Sequence, residues 1–379
     1  MPDKAIRSSS MTDRDYMLRA IELAKKGEGH TNPNPLVGAV IVKDGRIIGE
    51  GYHERYGELH AERNAFAHCS EETCGADMYV TLEPCCHHGK QPPCTEAVIE
   101  HGIKRIFVGS SDPNPLVAGK GLKQLRDAGI EVVEGFMKEE CDSLNPVFFH
   151  YISTGEPYIA LKYAMTADGK TATDTGKSQW ITGESARAHV HRLRNYYKGI
   201  LVGIGTVLAD DPMLTCRMEG GRDPVRIVFD TRLRIPEASK IMTSAAQAPV
   251  VIVCWEGADE EKKSRLKALG AELIELHLSE NGNISVEAAV AALGKMGIDG
   301  ILVEGGGTVG ASFIRAGKVN RIYAYIGAKI FGGTGKHTPV RGSGIDEVKE
   351  AAGLKVSQVE LFTDDVLITY DALRSTERA

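Results

Sequence analysis

A chain of 379 residues is too long for one ordinary core and predicts two domains. Its 42% hydrophobic and 25% charged residues fit a soluble globular protein, and a net charge of −6 argues against a nucleic-acid binder held mainly through phosphates. No apolar run is long enough to span a bilayer, no signal-peptide core opens the chain, and its eight cysteines do not look like a disulfide framework; the expectation is a reducing cytoplasm and no membrane.

In chain order, residues 1–11, with Ser8-Ser9-Ser10, read as a flexible leader. Thr12 and Asp15 have the spacing of a capping box for a helix running to Lys26. A buried strand is expected over 37–42, a tight turn at Asp44-Gly45 and a return strand over 47–49. A helix over 61–69, a strand over 78–82 and a helix over 95–101 follow. Strand 105–109, helix 121–128, strand 130–133 and helix 139–144 continue the alternation of a layered α/β domain. Residues 145–157, with Pro146, Gly155 and Pro157, read as the junction between halves.

Beyond it the pattern restarts with strand 158–163, helix 185–197 and strands 199–202, 225–230 and 250–254. Helix 260–269, strand 272–276 and helix 286–296 come next, and strands 321–326 and 356–362 would complete a large sheet. No internal repeat is visible.

The chemistry of the first half gathers in His60-Ala61-Glu62, Glu83-Pro84-Cys85 and Cys94. One imidazole and two thiolates supply three ligands of a tetrahedral zinc and leave a fourth position for water. Glu62, two residues past the histidine, suits the acid/base carboxylate that moves a proton from water to a departing amine. The order His-x-Glu then Pro-Cys is that of zinc-dependent base deaminases, with one departure: eight residues separate Cys85 from Cys94. The blander alternative is that the cysteines are plain buried hydrophobes and the His-x-Glu is chance. Against it, His60 and Cys94 open predicted helices, where the dipole favours thiolate, and Cys85 follows a strand.

In the second half, apolar residues 301–303 lead into Glu304-Gly305-Gly306-Gly307 and a helix to Ala316. Such a loop lets backbone N–H groups approach a phosphate, and equally serves as a plain strand-to-helix turn. Gly203-Ile204-Gly205-Thr206 reads as a bend. Arg187, His191 and Arg194 share helical spacing and read as a solvated face. Arg232 and Arg234 follow a strand and read either as surface charges or as a pocket for a 2′-phosphate.

With both halves in view, the sequence resembles the bifunctional riboflavin-biosynthesis deaminase/reductase family over nearly everything after Met11. The motifs that carry the resemblance are 32–38 (Asn-Pro-Asn-Pro-Leu-Val-Gly), Gly51-Tyr52-His53, His60-Ala61-Glu62 and residues 83–94, whose long Cys85–Cys94 spacing is the family's own. In the second half they are Lys162 with Thr166-Ala167-Asp168-Gly169-Lys170, Ser178-Gln179-Trp180-Ile181-Thr182, residues 205–212 and Glu304-Gly305-Gly306-Gly307.

The resemblance implies an α/β chain with a cytidine-deaminase-like three-layer domain over 12–150 and a dihydrofolate-reductase-like domain over 151–379. It implies one zinc held by His60, Cys85 and Cys94, with Glu62 as proton shuttle. Asn34, His53, His87 and Lys90 match positions that bind the pyrimidine nucleotide, while His88 is not expected to be a ligand. Lys162 and Glu304 match active-site residues of the reductase, and Ser178, Arg194, Leu214, Arg217 and Glu304 match substrate positions. Ala164, Trp180, Thr206, Asp210 and the run Gly306, Gly307, Thr308, Val309, Gly310, Ala311 and Ser312 match NADPH positions.

The implied reaction removes the 2-amino group of 2,5-diamino-6-ribosylamino-4(3H)-pyrimidinone 5′-phosphate, then reduces the ribosyl chain with NADPH. A small nucleotide substrate, no nucleic-acid partner and a homo-oligomer are expected. Three competing readings remain: a deaminase of another base or of tRNA, which needs a basic strand-binding surface; a chain with one active half; and a closed structural zinc site completed by Cys86 or His87.

Overall fold

The computed structural model describes residues 11–89, 91–280 and 282–373, so the expected leader, except Met11, and Lys90 lie outside the described residues. The chain divides into two units, Met1–Thr154 and Gly155–Ala379.

The first unit opens with α1 (Asp13–Lys25), whose N-terminus is closed by the capping box expected of Thr12 and Asp15. β1 (Gly38–Lys43) and β2 (Arg46–Tyr52) form the expected hairpin through Asp44 and Gly45, both at positive φ. Then come α2 (Ala61–Ala67), β3 (Asp77–Leu82), α3 (Cys94–Glu100), β4 (Arg105–Ser110), α4 (Lys120–Asp127), β5 (Glu131–Glu134) and α5 (Lys138–Asp142). The five strands lie in the order β2-β1-β3-β4-β5, antiparallel at the hairpin edge and parallel from β3 onward. Alternation along β1 serves two cores: Ala39 and Ile41 pack with α2 and α3 on one face, Val40 and Val42 with α1 on the other. That is the three-layer arrangement.

Two glycines set the spacing of the layers. A Cβ on Gly38 would lie 1.9 Å from Ala20 O of α1, and one on Gly51 would lie 2.2 Å from Ala65 N of α2. Both helices therefore sit directly on backbone.

The expected junction is corrected in part: most of it is a helix, α6 (Pro146–Thr154), and the chain turns only at Gly155, with φ 70°. Pro146 is tolerated because the first helical residue needs no N–H partner.

The second unit runs β6 (Tyr158–Thr166), α7 (Glu184–Tyr196), β7 (Gly199–Gly203), α8 (Ile204–Asp210), β8 (Val225–Phe229), α9 (Lys240–Thr243), β9 (Val250–Trp255), α10 (Glu260–Ala268), β10 (Ala271–Leu276) and α11 (Val286–Lys295). It continues with β11 (Gly300–Gly305), α12 (Gly307–Arg315), β12 (Arg321–Gly327), β13 (Leu354–Phe362) and β14 (Asp365–Ala372). One nine-stranded sheet holds them in the order β10-β9-β8-β7-β11-β6-β12-β14-β13, parallel up to β12 and antiparallel beyond. Leu201 of β7 enters one core while Ile200 and Val202 enter the other, so both faces are covered.

Two expectations are corrected here. The Gly203–Thr206 run is not a bend but the start of α8, with Gly203 as its N-cap. The sheet also has a strand the sequence reading lacks, β14, inserted between β12 and β13. Its hairpin turns through Thr363, at φ 57°, and Asp364, without the Asn-Gly or Asp-Gly pair that normally marks such a turn.

Candidate functional site

In the first unit, α2 and α3 both begin at the carboxyl edge of the sheet, beside the end of β3. His60 is the N-cap of α2, Cys85 lies in the loop leaving β3, and Cys94 is the first residue of α3. Their Nδ1, Sγ and Sγ atoms lie within 4.8 Å of one another. His60 Nδ1 is 3.5 Å from each sulfur, and Cys94 N–H donates to Cys85 Sγ at 3.4 Å. The Cys94 thiol and then the His60 ring hold the Cys85 thiol down at about 4, favouring thiolate. Two sulfurs and a nitrogen converging on one point are a borderline-soft donor set that fits zinc. Cys86 directs its thiol to Leu116 C=O instead, and His88 is exposed with Nε2 4.0 Å from Glu96.

Glu62, on the first turn of α2, is 3% exposed, and burial pushes its carboxyl above the usual range. A carboxyl whose proton affinity is raised above that of an ordinary carboxylate suits proton transfer. The cavity in front of it, about 280 Å³, is lined by Asn34, His53, His60, Glu62, Cys85 and His87 among others. His53 is buried between two fixed partners: Nδ1–H donates to Leu59 C=O at 3.0 Å, which leaves Nε2 to accept from the Asn34 amide at 3.2 Å. Burial lowers its pKa, keeping it neutral, and Asn34 keeps its carbonyl oxygen for the cavity.

Sequence reasoning missed Glu83, Asp112 and Asn114 in this wall. Glu83 Oε2 accepts from Asp112 N–H at 3.4 Å and Gly119 N–H at 3.1 Å, pinning the loop that follows β4. Asp112 accepts from Asn114 N–H at 2.8 Å, and burial, followed by the Glu83 charge, pushes its carboxyl up to about 6. The available signal was Asp112-Pro113-Asn114-Pro115 placed directly after an apolar strand.

In the second unit the adjacent parallel strands β7, β11 and β6 end together, and a cavity of about 720 Å³ opens at their carboxyl ends. Glu304, near the end of β11, is its charged centre. Arg194 of α7 grips it through Nε to Oε1 at 2.7 Å and Nη2 to Oε2 at 3.0 Å, and Lys162 Nζ of β6 stands 3.8 Å from Oε2. Burial alone would raise the Glu304 carboxyl, but the Arg194 and Lys162 charges overcome it and hold it down at about 2. Burial in turn lowers the Lys162 ammonium. The solvated-face reading of Arg194 is therefore corrected: its side chain is 12% exposed, and its partner lies 110 residues away.

Lys162, Ala164, Ser178, Trp180, Thr206 and Asp210 line this cavity together with Glu304 and the loop Gly306, Gly307, Thr308 and Val309. Gly310 and Ala311 face the protein interior; a Cβ on Gly310 would lie 3.1 Å from Leu161. Ser312 lines a neighbouring cavity. Leu214 is buried at φ 55°, and Arg217 is exposed, its N–H donating to His191 Nδ1 at 3.3 Å; neither lines the cavity around Glu304. Arg187, read with Arg194 as a solvated face, also lines this cavity, stacked 4.6 Å over the Trp180 ring; Arg341 beside the glycine loop is a residue that sequence reasoning missed.

The loop fits a phosphate-bearing cofactor. Gly306 has φ 79°, and a Cβ on Gly307 would lie 2.8 Å from Arg341 Nε, whereas one on Gly205 would meet open space. The first N–H groups of α12 have no carbonyl within the helix.

Residues 157–368 match the family described as RibD C-terminal domain, and residues 10–110 match the cytidine and deoxycytidylate deaminase zinc-binding region. A riboflavin biosynthesis protein RibD of Actinobacillus pleuropneumoniae is 53% identical over 95% of this chain and 96% of its own length. That of Escherichia coli strain K12 is 38% identical over 94% and 99%. Among solved structures, a diaminohydroxyphosphoribosylaminopyrimidine deaminase/5-amino-6-(5-phosphoribosylamino)uracil reductase of Thermotoga maritima is 41% identical with a TM-score of 0.83, covering 94% of this chain and 98% of that one. Acinetobacter baumannii RibD, at 35% identity, superposes with a TM-score of 0.85 over 96% and 99%.

Proposed function

The chain belongs to the RibD family of riboflavin biosynthesis, and we propose that its two cavities divide between them the two reactions of this bifunctional enzyme. Residues 12–150 deaminate 2,5-diamino-6-ribosylamino-4(3H)-pyrimidinone 5′-phosphate. Residues 151–379 reduce the product's ribosyl chain with NADPH to give 5-amino-6-ribitylaminouracil 5′-phosphate. The observation that carries this reading is the convergence of His60, Cys85 and Cys94 within 4.8 Å, at the wall of the cavity that Glu62 also lines.

His60, Cys85 and Cys94 would hold a zinc ion, which would supply the Lewis acidity for making water nucleophilic near neutral pH. Glu62 would relay both protons of the attacking water, one to the adjacent ring nitrogen and one to the 2-amino group, which then leaves as ammonia while the water oxygen remains on the ring carbon as a carbonyl. Neutral His53 orients the Asn34 amide, so that the Asn34 carbonyl is free to accept from the pyrimidine. His87 Nδ1, buried and without a protein partner among the described residues, is available to the same ligand. Lys90, outside the described residues, is assigned to substrate by the resemblance alone.

In the second cavity NADPH supplies the hydride, so the protein's part is orientation, exclusion of water and management of one proton. Lys162 and Glu304 are the two candidates for handling that proton; with Arg194 holding Glu304 as a carboxylate, Lys162 is the donor and Glu304 fixes its ammonium. Ser178 contacts substrate; Ala164, Trp180, Thr206, Asp210 and the loop 306–312 hold the cofactor. Leu214 and Arg217 are assigned to substrate by the resemblance alone, since neither lines the cavity around Glu304.

The enzyme works in the cytoplasm, where thiolate ligands stay reduced; all eight cysteines are free thiols. It is a homo-oligomer, a reading supported by the edge strand β13, on which Val359 is 59% and Leu361 76% exposed. Light scattering of the purified chain tests that point.

The test of function is a coupled assay with the diaminopyrimidine ribosyl phosphate, with and without NADPH. Ammonia should appear without NADPH, and NADPH oxidation should require prior deamination. No ammonia from this substrate, with release from a free base, nucleoside or tRNA instead, would move the first half to another deaminase class.

A further inference from the structure

Glu304 of β11, Lys162 of β6 and Tyr325 of β12 stand in a row on one face of three adjacent strands. Val303 pairs with Leu161, which sets Glu304 beside Lys162, and Tyr323 and Tyr325 pair with Lys162 and Ala164. Side chains two apart on a strand share a face, so the row lies on one side of the sheet. Helix α7 covers that side with His189 against Tyr325 and Arg194 against Glu304.

Glu304 holds the Lys162 ammonium from one side by charge. Nζ is 3.8 Å from Oε2, longer than a hydrogen bond, and both carboxylate oxygens already accept from Arg194. From the β12 side comes an aromatic face. Lys162 Nζ lies 5.8 Å from the centroid of the Tyr325 ring, a residue only 1% exposed. A ring at that range attracts a cation, most strongly where water is excluded. It does so without taking up any of the three ammonium N–H donors, which stay free for the nascent alcohol.

The ring is held at both ends. Its backbone is paired in β12 between β6 and β14, and its hydroxyl donates to His189 Nδ1 at 2.6 Å. Burial keeps His189 neutral, so that Nδ1 can accept, and the His189 ring packs on Phe362 with centroids 5.2 Å apart. The hydroxyl is committed to this anchor, and the ring face is the part that meets Lys162.

We propose that Tyr325 is a positioning residue of the reductase, whose ring face, fixed by His189, holds Lys162 as an ammonium in the cavity. The inference rests on the reading of Lys162 as proton donor and adds the group that keeps the donor charged. The other titratable groups facing Lys162 are Glu304 from β11 and Arg194 and His191 from α7; Tyr323, beside it on β12, shares a hydrogen bond with Tyr197 at 3.1 Å. Burial depresses the ammonium, Glu304 opposes that, Arg194 adds to it, and the ring acts in the same sense as Glu304.

The pH profile of kcat/KM for the deaminated substrate, measured on the full chain at saturating NADPH, tests the assignment. A donor must carry its proton, so the rate falls as pH rises through the Lys162 pKa. In Tyr325→Leu this basic limb should move to lower pH by roughly half a unit to one and a half units, the equivalent of one desolvated cation–π contact. Tyr325→Met should shift it likewise, and gives the reading if the Leu variant no longer binds NADPH. Tyr325→Phe keeps the ring and should keep the limb near the parent position. A shift in Tyr325→Phe as large as that in Tyr325→Leu would overturn the proposal, by placing the effect in the hydroxyl. If the parent shows no basic limb, or Lys162→Met retains it, the donor reading falls and takes this inference with it. A limb lost in Lys162→Met but unmoved in Tyr325→Leu and Tyr325→Met sinks the ring alone.

Discussion

Arg194 and Glu304 are joined by two parallel hydrogen bonds, 2.7 and 3.0 Å long, across the floor of the reductase cavity, with side chains 12% and 7% exposed. The remaining Arg194 Nη1 donates to Thr215 C=O at 3.0 Å, so the guanidinium is committed to holding the carboxylate and the loop after α8. A buried carboxylate stripped of its main partner is costly. Arg194→Met should destabilise the reductase half by about 3–5 kcal/mol, the usual loss when one member of a buried pair is removed. Arg194→Lys, which keeps the charge but not the fork, should fall between. Urea unfolding monitored alongside ammonia release would check this; a Met variant as stable as the parent would mean that Lys162 alone suffices.

Glu62→Gln preserves shape and burial but cannot carry a proton. Ammonia release should drop by roughly 10²- to 10⁴-fold, the usual range for a positioned acid/base group. Zinc content should remain, and NADPH oxidation with the deaminated substrate should continue unchanged. Metal analysis and the two separate assays decide it, and simultaneous loss of both activities would sink the picture of two independent centres.

The difference in legibility between the two sites has a physical origin. His60, Glu62, Cys85 and Cys94 lie within one stretch of strand and helix starts, so spacing alone predicts a shared point, and the three ligand atoms do converge. Arg194 is legible only as one face of a helix, because helical spacing cannot name a partner 110 residues away. Glycine is ambiguous for a related reason. At Gly203 it caps α8 and lets Val309 approach, a contact made across the sheet rather than along the chain. The pairing of β14 between β12 and β13 turns on a Thr363-Asp364 hairpin that ordinary turn preferences do not flag. Asp112 and Asn114 carried a visible turn signature, but nothing local says that the turn faces a cavity.

Gly51 lies under the helix that carries His60 and Glu62. A Cβ there would lie 2.2 Å from Ala65 N and 2.5 Å from Ala61 O, both backbone atoms that cannot swing aside. Gly51→Ala should therefore push α2 off the sheet, costing about 1–3 kcal/mol by overpacking and lowering zinc content. Gly45→Ala is the matching control. It too is strained, at φ 72°, but its Cβ would meet open space, so zinc content should stay at the parent level. Equal zinc retention in both variants would refute the idea that close contact at Gly51 positions the ligands.

Two histidines of α7 make the reductase half acid-sensitive. Burial, followed by the Arg192 charge, lowers His189 to about 4, with Nδ1 2.6 Å from the Tyr325 hydroxyl. Burial, followed by the charges of Arg194 and Arg217, lowers His191 to about 4. In the unfolded chain each returns to about 6.5, so between that pH and about 4 the unfolded state binds protons that the folded state refuses. Stability must fall as pH drops through that window. Glu304 acts lower down: its carboxyl is held at about 2 when folded, so its contribution is complete above the ordinary value of about 4.3 and is lost as pH falls toward 2. Urea midpoints measured from pH 7 downward should therefore decline in two stages. In His189→Gln/His191→Gln the upper stage should flatten while the drop below about pH 4.3 persists. Parallel curves for variant and parent would show that these imidazoles are not held neutral by the fold.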